Sequence, residues 1–119
     1  MRIFVTGCNG QVGTELMDLL GASHHEVIGV DLDTCDISDR SRVLAVITSV
    51  EPDAIIHGAA FTAVDRCEAE PDTAFLVNSL ATRFVADAAR RVGAHLVYVS
   101  TDYVFDGTQA EPYVEWDTP

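Results

Sequence analysis

Four short apolar runs alternate with three longer amphipathic segments along the 119 residues. The runs are rich in β-branched and aromatic residues and stop at glycine or polar positions, which predicts strands over residues 1–5, 26–30, 54–57 and 95–100. The segments between them place apolar residues three or four positions apart, which is typical of helices with one buried face. The alternation predicts an α/β protein with a right-handed parallel sheet, formed as one domain over residues 1–119.

Each predicted helix has an apolar stripe and end signals. The first carries the stripe Val12, Leu16, Leu19 and Leu20, with Gly21 as its C′ residue. The second has Ser38 as its N-cap and the stripe Val43, Val46, Ile47 and Val50. The third begins at Pro71, ends at Gly93 and buries Phe75, Leu76, Leu80, Phe84, Val85 and Ala88. Residues 61–70 and 108–119 are predicted to be loops.

Three glycines separate the first strand from the first helix. Gly7, Gly10 and Gly13 follow one another at intervals of three, so that backbone rather than side chain faces a ligand at the helix N-terminus. The partial positive charge at that end favours a diphosphate. The strand-turn-helix context favours a dinucleotide fingerprint over an empty structural turn, and it predicts a Rossmann-like doubly wound sheet.

Asp31 stands at the end of the second strand. Its distance in sequence from the glycines is the one at which a carboxylate accepts hydrogen bonds from ribose hydroxyls. Its negative charge would repel a 2′-phosphate, which favours NAD over NADP as cofactor. Arg40 and Arg42, at the start of the next helix, keep NADP open. Asp33 is better explained as part of a solvated acidic loop.

The carboxyl ends of the strands should converge on this turn. Ala59 and Ala60 follow the third strand and Thr101 follows the fourth. The Thr101 hydroxyl is the candidate catalytic group, placed to hydrogen-bond a substrate carbonyl as hydride arrives, although such residues after a strand more often serve turn chemistry. His57 and His95, at strand ends, are predicted to be structural.

Composition narrows the partners. The net charge is −12, and all seven basic residues are arginine, which argues against binding nucleic acid or an anionic membrane. Acidity of this kind suits a high-salt cytoplasm, and equally an ordinary acidic domain from an arginine-preferring genome. Three dispersed cysteines indicate neither a disulfide framework nor a metal site and fit a reduced, cytoplasmic compartment. The chain opens on a strand, and its apolar runs are too short to span a bilayer, so we expect neither signal peptide nor membrane segment.

Three motifs together are similar to the dTDP-4-dehydrorhamnose reductase family of extended short-chain dehydrogenases/reductases. They are residues 6–13 (TGCNGQVG), 61–68 (FTAVDRCE) and 100–107 (STDYVFDG). Related epimerases and dehydratases usually carry Ser/Thr-x-x-Val-Tyr-Gly at the third motif. The resemblance implies reduction of a 4-keto-6-deoxy sugar nucleotide by NAD(P)H, giving dTDP-L-rhamnose.

The resemblance also implies roles for individual residues. It assigns the cofactor diphosphate to Gly7, Gly10, Gln11, Val12 and Gly13, and the adenine to Asp36 and Ile37. It assigns the nicotinamide side to Ala59, Ala60 and Thr62, with Asn78 as the helix asparagine near the active site. Thr101 is then the catalytic hydroxyl, and Asp102 and Tyr103 contact the sugar.

One departure qualifies this picture. The family's proton donor belongs to a Tyr-x-x-x-Lys pair, and these residues contain no lysine. We therefore expect the amino-terminal, cofactor-binding part of a reductase, without the carboxy-terminal substrate lobe and without turnover by itself. The alternatives are a non-catalytic module resembling the regulatory β subunit of methionine adenosyltransferase, which shares a similar DYVFDG run, and a stand-alone nucleotide-binding domain. An uncovered sheet edge predicts association, with a homodimer as the candidate assembly.

Overall fold

A computed structural model describes all residues 1–119 and contains one parallel four-stranded sheet. Its strands are β1 (Arg2–Thr6), β2 (Glu26–Val30), β3 (Ala54–His57) and β4 (His95–Tyr98). All four predicted strands are confirmed. Strand β1 lies one residue later than predicted, and β4 ends two residues earlier than predicted.

The strand order is β2-β1-β3-β4, so the direction of winding reverses once, between β1 and β3. Phe4 of β1 stands in register with Ile28 of β2 and with Ile55 of β3. Because crossovers between parallel strands are right-handed, the reversal puts the β1–β2 connection on one face and the two later connections on the other. The predicted doubly wound, Rossmann-like architecture is confirmed, and its switch point lies at β1 and β3.

Five α-helices connect or follow the strands. They are α1 (Gln11–Gly21), α2 (Arg40–Val50), α3 (Val64–Ala69), α4 (Pro71–Phe75) and α5 (Ala81–Val92). A π-helical segment, Leu76–Leu80, joins α4 to α5, and a short 3-10 helix, Asp102–Val104, follows β4. None of the helices has the length and apolar content needed to cross a membrane.

The core lies between the sheet and the packed pair α2 and α5. Val43 and Ile47 of α2 and Val85 of α5 are buried against Phe4 and Ile55. Full burial of side chains of this size contributes about 1.5–3 kcal/mol each, so this layer fixes the sheet beneath the later connections. These two helical stripes agree with the sequence pattern.

The predicted buried face of α1 is wrong in part. Val12 is 55% exposed and Leu19 is 71% exposed. The helix turns Met17 toward the sheet instead, at Gly29 of β2, where an added Cβ would lie 2.9 Å from the Met17 sulfur. The leucine spacing therefore does not predict which face of the helix lies against Gly29. Gly21 is the last helical residue and Ala22 the C-cap, so the predicted C′ position of Gly21 is also wrong.

Asp39, not the predicted Ser38, caps α2. Its Oδ1 accepts hydrogen bonds from the backbone N–H groups of Ser41 (2.9 Å) and Arg42 (3.1 Å). Ser38 lies one residue outside and donates its hydroxyl to Asp36 (2.7 Å). A carboxylate also complements the positive end of the helix, which a hydroxyl does not.

The predicted loop 61–70 contains α3, so that prediction is wrong. Its six residues are stabilised by the i,i+4 ion pair between Arg66 and Glu70 (2.9 Å). The single helix predicted from Pro71 to Gly93 is divided into α4, the π-helical segment and α5. Pro71 is the first residue of α4, and Gly93 caps α5 in the left-handed conformation (φ 73°), both as predicted. The π-helical segment shifts the buried stripe, and Phe75 is 60% exposed rather than buried.

Candidate functional site

The glycine turn docks tightly onto the switch point. Gly7 has a φ of 73°, and a Cβ there would lie 2.8 Å from the backbone nitrogen of Ala59. A Cβ on Gly13 would lie 2.0 Å from the Gly7 carbonyl oxygen. Neither position has room for a side chain, so at Gly7 and Gly13 only the backbone can face a ligand.

The start of α1 presents three free donors. Gly10 donates its backbone N–H to the Gly7 carbonyl (3.0 Å), whereas the N–H groups of Gln11, Val12 and Gly13 find no acceptor within the chain. No side chain caps the helix, and its first turn holds no acidic residue. N–H groups without an internal acceptor at the positive end of an eleven-residue helix are an arrangement that suits an anion.

Asp31 stands beside this turn. Its Oδ2 accepts from the backbone N–H of Asn9 (2.9 Å), and its Oδ1 accepts from that of Leu32 (2.8 Å). Burial and, second, the Asp31 carboxylate raise the pKa of the Cys8 thiol above its ordinary value, so Cys8 stays neutral near pH 7. Because both of its oxygens accept backbone hydrogen bonds, the Asp31 carboxylate is a negative charge of fixed orientation next to the turn.

The segment after β3 is tied to β1. The backbone N–H of Gly58 donates to the Thr6 carbonyl (3.2 Å), and that of Ala59 donates to the Thr6 hydroxyl (3.2 Å). Ala60 and Thr62, farther along, are exposed. The predicted convergence of the glycine turn with the end of β3 is confirmed.

Asn78 clamps the next stretch of backbone. Its Oδ1 accepts from the Phe61 N–H (2.7 Å), and its Nδ2 donates to the Phe61 carbonyl (3.0 Å). Asn78 lies at the centre of the π-helical segment, a local form that occurs frequently at functional sites. Sequence reasoning missed Phe61 as the partner, because the pairing depends on a π turn that has no hydrophobic signature.

His57 is satisfied and structural, as predicted. Its ring is buried between the hydroxyls of Thr6 (2.7 Å from Nδ1) and Thr82 (3.2 Å from Nε2). Burial lowers its pKa to about 4. Thr82 was absent from the sequence-based candidates, since its helical position carries no motif. His95 is exposed at the start of β4.

Thr101, Asp102 and Tyr103 follow β4 and are exposed. The Thr101 hydroxyl accepts from the Tyr103 N–H (3.2 Å) and lies 3.3 Å from Asp102 Oδ1. Their hydrogen bonds remain within residues 101–105. The structure places Thr101 at the carboxyl end of the sheet but does not join it to the glycine turn by a hydrogen bond.

Asp36 and Ile37 follow β2 at greater remove. Asp36 Oδ1 accepts from the backbone N–H (2.9 Å) and the hydroxyl of Ser38. The Ile37 side chain is buried in the core cluster with Phe4 and Val43. Of this pair, the Asp36 carboxylate is the more accessible group.

Comparison with known proteins identifies relatives over the whole chain. A family model described as the RmlD substrate binding domain matches residues 1–119. The dTDP-4-dehydrorhamnose reductase of Burkholderia thailandensis is 42% identical over 117 residues, which are 98% of this chain and 39% of that protein. The spore coat polysaccharide biosynthesis protein SpsK of Bacillus subtilis is 40% identical over 98% of this chain and 41% of its own length.

Solved structures agree. A dTDP-4-dehydrorhamnose reductase from Bacillus anthracis, in complex with NADP, superposes with a TM-score of 0.95 at 42% identity, covering 99% of this chain and 42% of its own. A UDP-glucose-4-epimerase from Stenotrophomonas maltophila with bound NAD gives 0.84 at 25% identity, covering 99% and 42%. The chain thus spans about two fifths of the length of these relatives. With the family model matched from the first residue to the last, the chain belongs to the RmlD substrate binding domain family.

Proposed function

We propose that these residues form the dinucleotide-binding part of a reductase that uses NAD(P)H to reduce a 4-keto-6-deoxy sugar nucleotide, dTDP-4-dehydrorhamnose, to dTDP-L-rhamnose. The observation that carries the proposal is the set of three free N–H donors at Gln11, Val12 and Gly13. Two of the relatives, those from Burkholderia thailandensis and Bacillus anthracis, bear the name dTDP-4-dehydrorhamnose reductase. These names support the substrate class.

The residues of the turn fit a dinucleotide. The diphosphate would rest on the N–H groups of Gln11, Val12 and Gly13, while Gly7 and Gly10 keep the approach clear of side chains. Asp31 would accept from the adenosine ribose hydroxyls. Asp36 and the backbone at Ile37 would lie along the adenine, because the Ile37 side chain is turned into the core.

Ala59, Ala60 and Thr62 would line the nicotinamide side of the crevice, next to the backbone that Asn78 holds. When bound, the dihydronicotinamide supplies a hydride to the carbonyl carbon of the sugar. Thr101 would donate its hydroxyl to the carbonyl oxygen, where negative charge develops. Its existing contact with Asp102 is long, at 3.3 Å, so redirecting the hydroxyl costs little. Asp102 and Tyr103, both exposed, would contact the sugar.

The alkoxide formed by hydride transfer needs a proton. Tyr98, Tyr103 and Tyr113 are not followed by a lysine four places on, and the 119 residues contain none. We therefore infer binding without turnover by these residues alone. A carboxy-terminal lobe of a longer protein would then supply the proton donor and the rest of the sugar site.

For the cofactor, we infer a preference for NAD. The Asp31 carboxylate is fixed beside the turn by Asn9 and would repel a 2′-phosphate. The opposing group is Arg42, whose Nη2 donates to the Thr34 carbonyl (3.1 Å) on the same loop. Arg40 faces a different groove, which it lines with Arg90 and Arg91 between α2 and α5. The Bacillus anthracis relative was solved in complex with NADP, and titration of this chain with NADH and NADPH tests the preference.

Thermal unfolding with and without NADH tests the proposal. NADH at a hundred times its Kd should stabilise the chain by about 2.7 kcal/mol. Gly13→Ala should abolish this gain, because its methyl group would lie 2.0 Å from the Gly7 carbonyl oxygen. Gly21→Ala is the matched control, since no atom lies within 4 Å of its added Cβ. The absence of any shift at millimolar NADH, or an equal shift in both variants, would reject the cofactor site.

A further inference from the structure

A buried chain of hydrogen bonds lies directly beneath the segment that follows β3. It runs from the Thr6 hydroxyl to His57 Nδ1 (2.7 Å), and from His57 Nε2 to the Thr82 hydroxyl (3.2 Å). Thr6 and His57 are both buried. The Tyr98 ring stacks on the imidazole, with 5.5 Å between the centroids. We refer to this feature as the Thr6–His57–Thr82 chain.

The neighbours of the chain determine its direction. The Thr82 hydroxyl lies 3.0 Å from the backbone carbonyl of Asn78, which can only accept, so Thr82 donates there and accepts from His57. The imidazole hydrogen is therefore on Nε2. At the other end, the Ala59 N–H donates to the Thr6 oxygen (3.2 Å), which leaves the Thr6 hydroxyl hydrogen for His57 Nδ1.

The opposite tautomer satisfies fewer groups. With the hydrogen on Nδ1, His57 would donate to Thr6, and the Thr6 hydroxyl hydrogen would lose its acceptor. Thr82 would have to turn its only hydrogen from the Asn78 carbonyl to His57 Nε2. Because a buried donor or acceptor left unsatisfied is destabilising, the tautomer with hydrogen on Nε2 is favoured.

We propose that His57, as the neutral ring with hydrogen on Nε2, is a positioning residue that holds the Ala59–Phe61 backbone at the cofactor crevice. One end of the chain holds the Ala59 N–H through Thr6. The other end fixes Asn78, whose side chain holds both backbone groups of Phe61. The role in cofactor binding rests on the proposed function, whereas the chain and its direction do not.

Burial is consistent with this role. His57 must be neutral for Nδ1 to accept from Thr6, and burial lowers its pKa to about 4. The ring therefore keeps both hydrogen bonds throughout the neutral range. Its own side chain touches neither the glycine turn nor Thr101 by a hydrogen bond, so any effect on cofactor binding has to pass through the backbone it supports.

Three variants of the protein test the proposal. Thr82→Val removes the hydroxyl with little change of shape, and Thr82→Ser keeps a hydroxyl at the same position. Thr48→Val is the matched control, because it makes the same substitution at an exposed position on α2. NMR of the wild-type imidazole nitrogens should show hydrogen on Nε2. Thr82→Val should speed hydrogen exchange at the Ala59 and Phe61 amides and weaken NADH binding about tenfold, the size of one lost hydrogen bond. Thr82→Ser and Thr48→Val should stay near the wild type in both measurements.

The outcomes separate the two levels of inference. Hydrogen on Nδ1, or unchanged amide exchange in Thr82→Val, would overturn the positioning role. Faster exchange with unchanged NADH affinity would show that the chain orders the backbone without serving the cofactor, and it would also overturn that role. If wild-type protein binds no NADH, the proposed function fails, while the tautomer and exchange results still decide whether the hydrogen-bond chain exists.

Discussion

The Asp31 carboxylate accepts a hydrogen bond of 2.9 Å from the backbone N–H of Asn9, which joins the end of β2 to the glycine turn. A second bond, from the Leu32 N–H to the other carboxylate oxygen, fixes the orientation of the group (2.8 Å). A negative charge is thereby held beside the free donors of α1. The location of this charge makes cofactor selectivity measurable at one residue.

Asp31→Asn should shift the preference toward NADPH. The amide keeps the shape and one acceptor oxygen but removes the charge that would face a 2′-phosphate, and a pair of charges 4 Å apart interacts by about 1–4 kcal/mol near a surface. We expect the ratio of the NADPH Kd to the NADH Kd to fall at least about tenfold in calorimetric titrations. Asp33→Asn, an exposed acid on the same loop, is the control. An unchanged ratio would show that Asp31 does not select the cofactor.

Asn78→Ala should destabilise the fold, because it removes both hydrogen bonds to the Phe61 backbone. With those partly buried groups left unpaired, we expect a loss of about 2 kcal/mol in the free energy of unfolding. Urea denaturation followed by circular dichroism measures it. Ser79→Ala, at the neighbouring exposed position, should change stability by less than about 0.5 kcal/mol. Equal losses of unfolding free energy in the two variants would show that the Asn78 hydrogen bonds to Phe61 do not stabilise the fold.

His57 should make stability depend on pH. Burial lowers its folded-state pKa to about 4 from 6.5, so below pH 6.5 the unfolded chain binds a proton that the folded chain does not. The contribution is complete above about pH 6.5, falls as the pH drops toward about 4, and then levels off at a loss of about 3 kcal/mol.

Comparison of variants isolates this contribution from those of the many carboxylates. The difference in unfolding free energy between the wild type and His57→Gln should shrink as the pH falls through this window. His95→Gln, which changes an exposed histidine, should leave the wild-type profile intact. Parallel pH profiles for wild type and His57→Gln would contradict a neutral buried ring.

Much of the architecture could be predicted from sequence because each strand is a short apolar run that stops at glycine or polar residues. Gly93 ends α5 in the left-handed conformation that glycine adopts without strain. The glycine spacing after β1 likewise encodes a close backbone approach, here to Ala59. Features set by one residue's backbone freedom are therefore readable from sequence.

The features that were missed depend on contacts between distant residues. Val12 and Leu19 fit a helical stripe but are exposed, whereas the Met17 side chain lies against Gly29 of β2. Asn78, in the π-helical segment, hydrogen-bonds the Phe61 backbone, and Thr82, in α5, hydrogen-bonds His57. Neither pairing leaves a periodic trace, so the support beneath the candidate site could not be predicted.

The edge of the sheet at β4 should make the isolated chain associate. Val97 and Val99 are 46% and 48% exposed, and Val97 lies in register with Ile56, on the face that α1 only partly covers. Light scattering should show an average mass that rises with concentration. Val97→Lys should reduce the rise, because a charge on an edge strand opposes pairing, whereas Val64→Lys on α3 should not. A constant monomer mass at high concentration would disprove this expectation.

An NADH titration of the nitrogen-15-labelled chain, followed residue by residue by NMR, tests the dinucleotide site on the glycine turn directly. We expect saturable shifts that are largest at the amides of Gln11, Val12 and Gly13, the three donors without an internal acceptor. Asn9, bonded to Asp31, should shift with the same Kd. Shifts confined to other surfaces, or none at millimolar NADH, would contradict a dinucleotide site on the glycine turn.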